Sequence, residues 1–535
     1  MSQYDSAMSE EASPKRAFVL GLDGVPWKRL RAWADAGELP NFAALVEEGA
    51  AGALTSTKPA NTALAWPSIT TGVWPDKHGV YAFYKLGRNY RHRVNTGEDV
   101  ARPALWEMVS PSTVVNVPMT YPASPIDGRM VTGMMTPQKS DGFTHPPELA
   151  AAIAERVPNY EIGLDWNEYR NRPSEFPAAL QSLVEARRKL MSELVDENWR
   201  LFFYVYTAPD RLQHLLWEED ILLAHYKQLD AVLGDAREYA KERDATLFVV
   251  SDHGFGPIEK YVHVNRVLAE EGYLTPKDDT GTRSTLSQIG LTKERILGTL
   301  QRAGIDTNDL VKRLPESLVD RLAAGIPGEN VRYDVKYGQT KAFVHAQGTL
   351  YINDTERFAE GIVEPTEIDS LKDELVSVLT DVRDPETGNA VFDVHDGDSL
   401  FPSDDTAPDL VVEPREGYYV KPSLAAEVFT DPGAHAADHR PEGIFLATGP
   451  DIEAGATPNE ATVVDVAPTV LHAMGEAIPA DTDGRVLSEI FAPDSATAER
   501  SIATTDYARS ANGASTENED FSDVEDRLRG LGYVE

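Results

Sequence analysis

An α/β fold on an open, mostly parallel sheet is what this sequence predicts, and three observations predict it. Apolar runs rich in β-branched and aromatic residues recur at 16–22, 201–206 and 248–250, and such runs read as strands buried on both faces. Each run stops abruptly at polar residues: Asp23-Gly24, Thr207-Ala-Pro209-Asp210, and Ser251-Asp252-His253-Gly254. Segments with a 3.6-residue apolar period separate the runs, as strand–helix–strand units require. Polar side chains at the carboxyl ends of such strands lie where open α/β sheets bind ligands.

The bulk numbers narrow the function. The 535 residues include 87 acidic and 50 basic ones, a formal net charge of -37. That surface repels nucleic-acid polymers and anionic membranes. The acidity runs along the whole chain and reads as the solvation of a halophilic acidic protein. A 41% hydrophobic content supplies a core, and the length suits one large α/β domain with insertions or two to three domains. The absence of cysteine excludes disulfides, Cys-ligated zinc and thiol catalysis. Residues 1–15 are polar and acidic, a disordered leader without a signal-peptide core. No run reaches the roughly 18 apolar residues of a membrane span. The expectation is a cytoplasmic protein.

In chain order, the strand at 16–22 leads through Asp23 to helices at 27–36 and 41–48. Asp23 alone reads equally well as a helix N-cap. Thr62 opens a helix that accommodates Pro67 and closes on Gly72. A hydroxyl at a helix start, beside free N–H groups and the positive end of the dipole, suits a phosphoryl group. Plain capping is the commoner use of such a Thr. The aromatics Trp66, Trp74, Tyr81, Phe83 and Tyr84 either stack on a substrate or pack a domain edge.

A strand at 114–117 carries Asn116 at its end, and 145–200 is mostly helical. After the strand 201–206, Asp210 and His214 fall at i and i+4 on one helix face, so both can reach one metal ion. A surface Asp/His pair is the alternative. A helix at 221–241 returns to the strand ending in Asp252-His253, and another amphipathic helix runs from Val262 and ends at Gly272. Residues 276–335 are polar and helical, a cap insertion over the active-site edge. Strands follow at 341–344, 349–352 and 409–413, with a helix at 368–379. His439 sits in a Gly/Ala/His loop before a last strand at 444–448, and a helix covers 462–474. The acidic tail 491–535 holds one short helix at 524–531.

If these strands lie side by side, Asp23, Asp210, His214, Asp252, His253 and His439 converge on one crevice. Carboxylate and imidazole without thiolate suit an open catalytic site for Zn²⁺, Mn²⁺ or Fe. Cations would also offset the repulsion among three buried carboxylates.

The ordered motifs Gly21-Leu-Asp23-Gly24, Thr62 with Gly72, Pro209-Asp210-x-x-x-His214, Ser251-Asp252-His253-Gly254, His439-Arg-Pro-Glu-Gly443, Asp465-Val-Ala-Pro-Thr469 and Asp483-Gly484 resemble the type I phosphodiesterase/nucleotide pyrophosphatase branch of the alkaline phosphatase superfamily, over about residues 16–490. The resemblance implies a three-layer α/β/α sandwich with a mixed, mostly parallel sheet, formed by 16–275 and 336–490. It implies two divalent ions, Zn²⁺ with Mn²⁺ as the alternative: one on Asp210, His214 and His439, the other on Asp23, Asp252, His253 and Thr62. Thr62 would be the nucleophile, forming a phospho-threonine that water hydrolyses. Asn116 either helps to hold the non-bridging oxygens or, as a strand-end Asn, merely ties down a turn. The expected substrate is a small phosphate ester or nucleotide-like molecule.

A sulfatase would need Cys or Ser in a Cys/Ser-x-Pro-x-Arg context, which the nucleophile position lacks. A cofactor-independent phosphoglycerate mutase normally uses Ser, with its large insertion before the later ligands. A phosphatase, a phospho-group transferase and a catalytically degenerate metal-binding protein remain as alternatives.

Overall fold

The computed structural model describes residues 14–137, 141–165, 168–169, 172–277, 335–433, 435–508 and 521–530. Residues 1–13 of the expected leader and 278–334 of the expected cap insertion lie outside the described residues. The first half of the chain forms β1 (Arg16–Leu22), α1 (Trp27–Asp35), α2 (Pro40–Glu48), β2 (Ala50–Thr55), α3 (Thr62–Thr71), β3 (Ser112–Val115), β4 (Gly128–Val131) and β5 (Thr144–His145). Then come α4 (Phe176–Val195), β6 (Leu201–Tyr206), α5 (Ala208–Leu215), α6 (Glu219–Glu242), β7 (Ala245–Val250), β8 (Gly254–His263) and α7 (Val264–Glu270). The second half supplies β9 (Ala342–Ala346), β10 (Thr349–Ile352), α8 (Ile368–Thr380), β11 (Phe392–Asp396), β12 (Leu410–Pro414), β13 (Gly417–Lys421), β14 (Ala437–Arg440), β15 (Glu442–Thr448) and α9 (Val466–Met474).

The main sheet has eight strands in the order β2-β15-β7-β1-β6-β3-β4-β5. The run from β7 to β4 is parallel, while β15 lies antiparallel to β7 and β2, and β5 antiparallel to β4. Helices cover both faces. Leu30, Phe42, Leu183 and Leu229 from α1, α2, α4 and α6 pack on one face, and Trp66, Ile69, Val470 and Leu471 from α3 and α9 pack on the other. The three-layer α/β/α sandwich of the expectation is therefore present. β1 and β6 run in register to Leu22 opposite Tyr206, and Gly21 faces Val250. The residues that follow β1, β6 and β7 thus emerge at one level of one edge.

A second core lies beside this sheet. β9, β10, β12 and β11 form a separate antiparallel sheet, packed through Phe343, Leu350 and Val412 against Leu268 of α7 and Leu375 of α8. The strands expected at 341–344, 349–352 and 409–413 belong to this sheet and not to the main one. β8 joins the two regions, pairing with β14 at one end and β13 at the other. Residues Val262 and His263, expected to open a helix, finish β8, and the helix starts at Val264. β2 was not expected, because Ala-Ala-Gly-Ala carries no β-branched signal; its pairing with β15 makes it a strand.

Candidate active site

The edge where β1, β6 and β7 end carries the candidate ligands. Among the described residues, three groups of Asp and His place ligand atoms close enough to share an ion: Asp210, His214 and His439; Asp23, Asp252 and His253; and His214, His435 and Asp438. The first two are the sets expected for two ions, and all six side chains are buried.

In the first set the Asp210 Oδ1 atom lies 3.2 Å from His439 Nε2 and 3.4 Å from His214 Nε2. The two imidazole Nε2 atoms are 3.2 Å apart. Pro209 in the first turn of α5 sets Asp210 and His214 one helical turn apart. His439 arrives from a distant part of the chain because β14 pairs with β8, with His439 opposite Phe255. In the second set His253 Nε2 is 3.2 Å from Asp252 Oδ2 and 3.7 Å from Asp23 Oδ1. The His253 and His439 rings stack with centroids 3.7 Å apart, which joins the two sets.

Two glycines permit this proximity. Gly24 has φ of 73°, and a Cβ there would stand 3.0 Å from the Asp210 Cβ. A side chain would therefore be strained and would push the two sets apart. At Gly21 a Cβ would meet the Trp66 ring at 2.3 Å. Without one, the indole lies across β1 and donates from Nε1 to Asp23 Oδ2 at 3.1 Å.

Each imidazole has its Nδ1 directed away from the centre. His253 Nδ1 lies 3.0 Å from the Gly254 carbonyl, and His439 Nδ1 lies 3.2 Å from the Ala60 carbonyl. His214 Nδ1 faces the Asp438 carboxylate at 3.7 Å. Holding the proton on Nδ1 leaves Nε2 as a lone-pair donor toward a cation. Asp438 is itself 2.9 Å from His435 Nε2, whose Nδ1 meets the Tyr261 hydroxyl at 2.7 Å.

The electrostatics differ between the sets. Burial, then Asp252 and Asp210, raise the Asp23 carboxyl well above the usual carboxylate range. Burial followed by Asp210 pushes Asp252 up to about 7. Burial would also raise Asp210, but His214, His439 and Arg211 hold it well below the usual range. Burial lowers His214 and His253, keeping both neutral as ligands must be. Among the described residues the buried Asp23 Oδ1 and Asp252 Oδ2 atoms have no hydrogen-bond partner, although Gly24 N–H donates to Asp252 Oδ1 at 3.1 Å. Two orphaned carboxylate oxygens aimed at one imidazole nitrogen fit a bound divalent cation. The oxygen and nitrogen donor set without sulfur fits the same ions.

Thr62 stands at the first position of α3, fully buried, with its Oγ1 3.1 Å from His253 Nε2. The cap of this helix is Asn61, whose side chain accepts from Ala63 N–H at 2.8 Å. The capping role that competed for Thr62 is therefore taken by its neighbour, and the Thr62 hydroxyl faces the second set. Asn116 stands at the end of β3 with φ of 59°. It pairs with Val131 through its backbone and accepts from the Tyr160 hydroxyl, and no hydrogen bond from it reaches Thr62 or either set. Of the aromatics, Trp66 is buried against Asp23, and Trp74 packs on the α3–α9 core. Tyr81, Phe83 and Tyr84 line a small pocket together with Asn61 and Gln347, the latter from the second core's β9–β10 turn.

The type I phosphodiesterase / nucleotide pyrophosphatase family matches residues 17–436 of the chain. The chain belongs to this family. The family is one of metal-dependent phosphoester hydrolases. Phosphonoacetate hydrolase from Sinorhizobium meliloti 1021, solved with phosphonoformate, is similar at 15% identity and a TM-score of 0.55, over 86% of this chain and 96% of that one. Murine ectonucleotide pyrophosphatase / phosphodiesterase 5 is similar at 13% identity and a TM-score of 0.48, over 89% of this chain and 100% of that one. No curated protein matches the chain in sequence. No described helix is long and apolar enough to cross a membrane.

Asp438 and His435 are the supporting residues that the sequence reading did not assign. The signal available was Asp438 adjoining His439; its position against His214 depends on the β8–β14 pairing.

Proposed function

We propose that this protein hydrolyses small phosphate esters or nucleotide-like phosphodiesters with Thr62 as nucleophile, next to two divalent ions. Asp210, His214 and His439 would hold one ion, and Asp23, Asp252 and His253 the other with Thr62; Zn²⁺ or Mn²⁺ suits both. The observation that carries this reading is the Thr62 Oγ1 atom 3.1 Å from His253 Nε2 at the buried start of α3. Bound divalent ions supply positive charge that lowers the pKa of a hydroxyl and stabilises phosphoryl oxygens.

Thr62 Oγ1 forms a bond to phosphorus while the bond to the departing oxygen breaks on the Asp210/His214/His439 side. The positive end of α3 favours the charge on the non-bridging oxygens. A water then attacks the phospho-threonine in a second in-line displacement, which returns the Thr62 hydroxyl with net retention at phosphorus. His253 and His439, each fixed through Nδ1 to a backbone carbonyl, and His214, whose Nδ1 faces Asp438, keep the donor atoms oriented during both steps.

The test is hydrolysis of bis-p-nitrophenyl phosphate and p-nitrophenyl phosphate with Zn²⁺ or Mn²⁺ in high salt. Thr62→Ala should lower kcat by roughly 10³-fold or more, and acid quenching of the wild type should trap phosphate on Thr62. Activity that survives EDTA, or is unchanged in Thr62→Ala, would sink this mechanism. Faster turnover of the diester supports a phosphodiesterase; the reverse supports a phosphatase.

A further inference from the structure

On a chain of net charge -37, three arginines gather at one corner of the active-site edge. Arg211 follows the ligand Asp210 directly, and its Nη1 lies 3.2 Å from Asp210 Oδ2, the oxygen opposite the one facing His214 and His439. Its Nη2 reaches Met134 Sδ at 2.6 Å. Two residues further along that loop, the Thr136 carbonyl accepts from Arg527 Nη2 at 2.6 Å. Arg527 comes from the C-terminal helix Ser522–Gly530, which docks through the buried Val524 and Leu528. Arg211 and Arg527 thus meet the same loop, at Met134 and at Thr136.

Behind them, Arg187 of α4 is only 1% exposed. Its Nη2 donates to the Ile162 carbonyl, its Nη1 lies 3.4 Å from Thr207 Oγ1, and its Nε has no partner among the described residues. Among the described residues no carboxylate pairs with it, and a buried guanidinium without a counter-charge is costly. Asn116 completes the corner. Its Oδ1 accepts from Tyr160, and its buried Nδ2 donor is left without a partner among the described residues. The loop after Asn116 runs beside the 131–136 loop, with Met119 N–H bonded to the Met134 carbonyl. Asp523 and Asp165 offset part of the Arg527 charge, and Asp210 part of the Arg211 charge. Arg187 has no such offset.

Resting on the proposed hydrolase reading, we infer that Arg211, Arg527, Arg187 and Asn116 form a second oxyanion subsite. It would take a phosphate or carboxylate carried by the part of the substrate that departs on the Asp210/His214/His439 side. Guanidinium forks and an amide N–H suit either oxyanion. The inference gives Asn116 a substrate contact away from the attacked phosphorus, and it gives the C-terminal helix a share in the site.

The test compares kcat/KM for three methyl aryl phosphate diesters whose leaving phenol carries no charge, a carboxylate or a phosphonate, using the full-length holoenzyme. The charged leaving groups should be favoured about 10- to 100-fold over the neutral one. The carboxylate and phosphonate arms identify which oxyanion fits. Arg527→Gln should reduce that preference about tenfold or more, and Arg187→Met should do the same. If Arg187→Met does not fold, Arg527→Gln decides alone. No preference in the wild type, or an equal fall for all three esters in Arg527→Gln, overturns the subsite. If no ester is hydrolysed, the hydrolase reading fails separately and calorimetric titration with inorganic phosphate and with acetate decides. Binding weakened in Arg527→Gln then supports the subsite, and equal binding in both proteins overturns it.

Discussion

The two ligand sets share an edge, a depth of burial and a pair of stacked imidazoles, yet they are built on opposite electrostatic plans. Asp210/His214/His439 has one carboxylate among two imidazoles, with Arg211 behind it, and its carboxyl is held ionised. Asp23/Asp252/His253 has two carboxylates around one imidazole, and both carboxyls are pushed up. The first set is largely satisfied by its own neighbours. The second leaves two buried oxygens orphaned and is the one whose charge calls for a cation. That difference follows from composition: burial penalises every carboxylate, and only nearby positive or proton-donating groups can offset it.

The largest effect expected on this contrast is one of opposite signs. In metal-free protein at pH 8, Asp210→Asn should destabilise by roughly 2–4 kcal/mol, because it strips Arg211, His214 and His439 of their shared partner. Asp252→Asn should stabilise by about 1–3 kcal/mol, because it removes one of two carboxylates that repel. Denaturant unfolding after EDTA treatment measures both. Equal destabilisation by the two substitutions would break the contrast.

Next in size is the effect of Asp438, which supports only the first set. Asp438→Asn should weaken metal binding at that set by about 10- to 100-fold, and competition with a chelator should show one site weakened while the other is kept. Weakening of both sites together would mean that the two sets do not bind independently.

The smallest effect is one of pH. The Asp252 carboxyl, raised to about 7, binds its proton more tightly in the folded than in the unfolded chain. Its contribution to metal-free stability is complete below the ordinary carboxylate pKa and is lost as pH climbs through about 7. Thermal unfolding without metal should therefore show a falling midpoint between about pH 4 and 7, and Asp252→Asn should flatten the fall. A profile of the same slope in both proteins would assign the effect to other groups.

The regions that were legible in the sequence are those whose signal is local. Asp23, Asp210 and Asp252-His253 each follow a buried strand within a few residues, and a parallel sheet in register brings such ends to one level. Asp210 and His214 share a helix face by spacing alone. The second core was not legible as a separate unit, because Ala342–Ala346 and Thr349–Ile352 look like any other short buried strands. Only the pairing of Ala342–Ala346 with Thr349–Ile352, and of Thr349–Ile352 with Leu410–Pro414, sets them apart from the main sheet. Asn116 shows the same limit: its place at a strand end was readable, but its contact with Tyr160 was not.

By itself, the sequence determined the α/β class, the strand ends that carry the candidate ligands, and a helix that starts at Thr62. Periodicity and chain stops are properties of neighbouring residues, so a linear reading captures them. Tertiary structure alone decided which side chains meet. His439 reaches Asp210 across 229 positions because β14 pairs with β8. Asp438 faces His214 by the same pairing, and Asn61 takes the helix cap so that the Thr62 hydroxyl points at His253. Contacts between distant segments depend on how buried surfaces pack, and no local pattern encodes that.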